Sequence, residues 1–166
     1  MSARMQIISL AVLGGVLFVA AATVQAADQP DVKPEAQTAE RYAALEQSLS
    51  GVALVGHFTD SNKPAKELTS ERYELESVRH LGDGQWLIQT RIRYGDHDVK
   101  LPLTLPIYWA GDTPVITVDK LAIPGMGTFT ARVMIFADHY AGFWSGADHG
   151  GHLFGVIEKS PSAASE

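Results

Sequence analysis

The 166-residue chain carries 13 Lys and Arg against 19 Asp and Glu, a net charge of −6, and has no cysteine. The acidic balance speaks against nucleic acid or an anionic membrane surface as a partner. The missing thiols exclude a disulfide scaffold, thiol catalysis and thiolate metal centres, so the fold must hold itself by burial alone.

The chain opens on MSARMQIISLAVLGGVLFVAAATVQA, in which Arg4 precedes an apolar run from Ile7 to Ala22 and then Val24-Gln25-Ala26. This pattern predicts a secretory signal peptide over residues 1–26, cleaved after Ala26. An uncleaved anchor is the alternative, since the run approaches the length a bilayer needs. Cleavage leaves 140 residues with 12 bases against 19 acids, a net charge of −7, no stable membrane span and room for one domain. The mature chain is then exported, periplasmic or extracellular.

Residues 27–37 are polar with two prolines and read as a disordered linker. TAERYAALEQSL follows, where Tyr42, Leu45 and Leu49 recur at helical spacing and predict one short helix. From Leu49 to Lys159 short apolar-rich runs alternate with the turn clusters TDSNKP, GDG, GDHD, AGDTP, PGMG, DH and SGADHGG. Seven turns imply eight strands, an all-β antiparallel meander over a single domain, residues 38–158, with 159–166 a disordered tail.

Asp83-Gly84 favours a two-residue type I′ loop, which would fix a register in which partner numbers total 167. That register sets Leu81 opposite Trp86, Leu75 opposite Ile92 and Tyr73 opposite Tyr94 on one face. On the other, Glu76 meets Arg91 and Glu74 meets Arg93. In VKLPLTLPIYW one face carries Val99, Leu101, Leu103, Leu105, Ile107 and Trp109, while Pro102 and Pro106 share the other parity. Two prolines of one parity deny one neighbour two ladder donors, which suits an edge strand or a locally splayed, partly open barrel. In GTFTARVMIFAD the inward set is Phe129, Ala131, Val133, Ile135 and Ala137. The opposite face holds Met134 and Phe136, a candidate surface for the helix or an envelope protein partner.

A secreted chain with a short helix, a glycine-bearing first strand LSGVALVGHF and eight meandering strands resembles the lipocalin and wider calycin barrels over residues 40–158 in strand order. The resemblance implies a cup that holds a small apolar or amphipathic molecule. A β-sandwich is the alternative architecture.

The 167 register turns Arg79 inward beside Ser77 and Thr90. An inward cation suits the carboxylate or phosphate of an amphipathic ligand, with Tyr73, Trp86, Ile92 and Tyr94 as walls. A bulge near Val78 would instead turn Arg79 outward. HYAGFWSGADHGGHLFG supplies metal-ligand types in Asp148, His149 and His152, with Asp138 and His139 at the far end of the preceding strand. His149 and His152 reach one zinc or similar ion only if Gly150 and Gly151 bend the backbone, with His57 as a third ligand. Otherwise the glycines serve turns and close backbone approach. No GxSxG occurs, and Ser145 beside His149 is an isolated pair. The expectation is a non-catalytic binding protein for a small apolar or amphipathic molecule, anionic ones included. A metal-binding protein or metal-dependent enzyme and an envelope protein that docks a partner are the alternatives.

Overall fold

The computed structural model describes residues 34–160; residues 1–26, where a signal peptide is expected, residues 27–33 and residues 161–166 lie outside them. Helix α1 (Pro34–Leu49) leads into β1 (Val52–Phe58), β2 (Thr69–Gly82), β3 (Gln85–Tyr94) and β4 (His97–Ala110). Strands β5 (Thr113–Ile123), β6 (Gly127–Phe136), β7 (His139–Ser145) and β8 (Gly150–Lys159) complete the chain. Each strand pairs antiparallel with its sequence neighbours, and β8 returns to β1 with Val55 opposite Val156, so the sheet closes into a barrel. The architecture is consistent with a lipocalin-like fold and excludes the sandwich. No helix among the described residues is long and apolar enough to cross a membrane.

The helix starts four residues earlier than its apolar spacing suggests, at Pro34, whose missing N–H is no loss in a first helical turn. Its last two turns bury Leu45 and Leu49 beneath the barrel, each contributing roughly 1.5–3 kcal/mol. Tyr42 packs against His80, Trp86 and Trp109, and Arg41 both covers the Trp109 ring and pairs with Asp112. The helix thus floors the barrel, at the end where the β2–β3, β4–β5 and β6–β7 turns lie.

That floor also explains a correction to the β2–β3 register. Asp83 and Gly84 have φ of 48° and 71°, the two positive values a type I′ loop needs, and Gly82 pairs with Gln85 as expected. Two bulges then follow on β2, at Leu81 and at Glu76, and shift the partner total from 167 to 166 and then 165. Tyr73 therefore faces Ile92, and Leu75 faces Thr90. Beyond Leu75, β2 has run past the start of β1 and takes other partners. The Val78 N–H donates to Ser50 Oγ at 2.9 Å and the His80 N–H to Glu46 Oε1 at 2.6 Å. The bulge at Glu76 reverses side-chain parity over this stretch, so Val78 is buried inside while Ser77 and Arg79 are exposed outside. On the outer face the register sets Glu74 opposite Arg91 rather than Arg93, although its side chain still reaches Arg93, and Arg72 as well. Glu76 pairs with Lys100 rather than Arg91, which pairs with Asp98.

The expectation of a partly open barrel is corrected to a closed one with a local splay. The Ile107 N–H bonds to Gly84 O on the β3 side, so the even positions of β4 direct their backbone groups toward β5. There the β4–β5 ladder spans only Ile107–Ala110, which leaves Pro102 and Pro106 where no donor is required. The ladder through β8 runs to Lys159, with Ser160 N–H bonded to Gly51 O, slightly past the expected domain end.

Candidate functional site

The strand periodicities put Leu54, Leu75, Ile88, Leu105, Ile116 and Leu153 on the barrel interior. They do not fill it. A cavity of about 630 Å³ runs from these aliphatic walls to the loops opposite the helix, where Lys63, Asp96, Met126 and His149 line its mouth. Near the mouth Phe58 stands edge-on between Tyr94 and Trp144, with ring centroids 5.9 and 5.6 Å away, and Phe129 faces Trp144. The result is an apolar pocket with an aromatic collar, of the size small-molecule sites have, roughly 300–1,000 Å³.

Among the described lining residues one carboxylate lies well inside. Glu71, the third residue of β2, is only 4% exposed and accepts two hydrogen bonds of 2.8 Å, from Tyr140 Oη to Oε1 and from Tyr73 Oη to Oε2. Burial pushes the Glu71 carboxyl above the usual range, opposed by the Tyr140 and Tyr73 hydrogen bonds and by nearby His57. Burial, followed by the neighbouring Glu71 charge, also raises both phenols, Tyr73 well above its ordinary value.

Tyr140 reaches Glu71 because the wall beside it has no side chains. Gly56 on β1 and Gly155 on β8 face one another in the register. A Cβ at Gly56 would lie 2.5 Å from Tyr140 Oη and 2.1 Å from the Phe154 carbonyl oxygen. One at Gly155 would lie 2.7 Å from the Tyr140 ring. The two glycines let β1 and β8 bend closely and seat the phenol against bare backbone.

Of the residues singled out in the sequence, Tyr73, Thr90, Ile92 and Tyr94 line this cavity. Trp86 points inward but is fully buried in the floor against Tyr42 and His80. Arg79 and Ser77 are outside, so the inward cation expected for an anionic ligand is not in the pocket. The metal candidates separate too. His57 and His152 are exposed on the outer face, His152 beside Thr59 Oγ1 and the Phe143 ring. His149 sits at the mouth, bonded to Asp148 at 2.9 Å and edge-on to Trp144. Its hydrogen bond holds the Asp148 carboxyl below the usual range. Asp138 and His139 pair with each other at the opposite end of the barrel. Among the described residues no three His, Asp or Glu side chains gather as a metal site.

No protein-family model, curated protein or solved structure matches the chain. The two central residues of the site, Glu71 and Tyr140, were not among the sequence candidates, although a signal existed for both. Glu71 shares the parity of Tyr73 and Leu75, and Tyr140 that of Trp144, with a glycine between.

Proposed function

We propose that this protein is a non-catalytic, lipocalin-like carrier that binds a small, largely apolar molecule inside its barrel, and that residues 1–26 direct its export. The observation that carries this reading is the apolar cavity of about 630 Å³ with a buried polar cluster, Glu71 with Tyr73 and Tyr140, and Thr90 as a further buried polar residue of its wall. Many aliphatic and aromatic walls with a few convergent polar groups are what orients a small ligand. The cavity is suited to hydrocarbon, and the collar places Trp144 where an entering ligand changes its surroundings. Titration with n-decanol followed by tryptophan fluorescence tests the reading. A saturable change is expected, and it should disappear in Ala131→Trp, whose added ring would fill the cavity between Val118 and Trp144.

A second reading, docking to a protein partner, is favoured by the outer face. Met134, Phe136, Phe143, Phe154 and Val156 are exposed on consecutive strands β6–β8, with Phe136 at 70% and Phe143 at 64%. The helix packs on β2 and leaves this face uncovered. A contiguous apolar surface of this kind marks interaction sites on soluble proteins.

A further inference from the structure

We infer that the molecule bound in the barrel is an amphiphile whose polar end is a cationic amine, its ammonium held by Glu71 and the oxygens of Tyr73 and Tyr140. The inference rests on the proposed carrier function and adds the chemical class of the ligand.

Three observations lead to it. First, both tyrosine hydroxyl protons are directed at Glu71, one at each carboxylate oxygen. What remains free on the cluster is acceptor capacity: the other carboxylate lone pairs and those of the two phenol oxygens. A ligand group must therefore donate, and an ammonium brings three donors and no acceptor.

Second, acids predominate. Among the described lining residues Asp60, Glu71 and Asp96 stand against one lysine, Lys63, and two histidines, His97 and His149, with no arginine. Lys63 is at the mouth, with its Nζ 3.6 Å from Glu67 and 3.4 Å from Thr69 Oγ1. A carboxylate or phosphate ligand would meet the Glu71 carboxylate with no lysine or arginine of the lining at the cluster. Third, Glu71 lies among apolar walls, where an uncompensated charge is unfavourable and a bound cation compensates it.

Isothermal titration of the full chain at neutral pH with n-decylamine, n-decanol and n-decanoate separates the possibilities, because the three share one hydrocarbon and differ only in the polar end. The expected result is one site, with decylamine bound about tenfold or more tighter than either other probe. Glu71→Gln should remove that preference, so that decylamine binds no more tightly than decanol to the same variant. The ranking on the unmodified protein stands even if the variant folds poorly. Decanol or decanoate binding as tightly as the amine, or an amine preference that survives Glu71→Gln, would overturn the inference while leaving a carrier of apolar molecules. Failure of all three probes to bind would overturn both.

Discussion

Tyr140→Phe isolates the polar cluster, because it deletes one hydroxyl and leaves the ring against Gly56 and Gly155. In the native protein that hydroxyl donates to Glu71 Oε1 at 2.8 Å. A hydrogen bond to a charged acceptor contributes roughly 1.5–3 kcal/mol, and one between neutral partners about 0.5–1.5 kcal/mol. The loss should therefore depend on the charge of Glu71. The folded-state pKa of Glu71 already exceeds the unfolded value of about 4.3, so its stability contribution is full below that value and is lost as pH rises through the folded pKa. The Tyr140 bond is one of the effects holding that folded pKa down, and its removal raises the pKa further. More stability is then lost on the way to alkaline pH than in the native protein. Urea unfolding should show a loss of about 2 kcal/mol at pH 8 and about 1 kcal/mol at pH 4. Equal losses at the two pH values would refute an ionised Glu71 held by Tyr140.

Gly56→Ala would bring a methyl within 2.1 Å of the Phe154 carbonyl, a backbone atom that cannot swing away, and should cost about 1–3 kcal/mol in the same unfolding assay. A loss near zero would show that the β1–β8 approach is looser than described. Phe136→Ser with Phe143→Ser alters only exposed side chains, so stability should change by less than about 0.5 kcal/mol at each site. Binding of an apolar surface dye should nevertheless fall, and an unchanged dye signal would remove the outer face as a docking surface. Because His57, His149 and His152 do not converge, equimolar zinc should leave the melting temperature where it was, and a clear rise would contradict the separation of these side chains.

Much of the barrel was legible because period-two alternation survives wherever a strand has one buried face. The inward rows of β4 and β6 followed directly from Val99 to Trp109 and from Phe129 to Ile135. The loop at Asp83-Gly84 was equally readable, since consecutive positive φ values select that dipeptide. The sequence offers the bulge that turns Arg79 outward only as an alternative, near Val78, and the pattern could not place it at Glu76. Nothing local to Leu75-Glu76-Ser77 signals it; it arises where β2 passes the start of β1 and takes Ser50 and Glu46 as partners. One added residue reversed Arg79 and Ser77 and removed the anion-binding expectation. The histidines misled for a related reason. Residue types suited to zinc stood close in sequence, but outward parity on β1 and β8 kept His57 and His152 away from the barrel interior.

The most direct test of the carrier reading is native mass spectrometry of the protein isolated from its own source, beside the Ala131→Trp variant expressed and isolated in the same way. The account predicts a native mass that exceeds the denatured mass by one small organic molecule, and no excess in the variant. A wild-type protein with no excess, or an equal excess in both proteins, would contradict a ligand held inside the barrel.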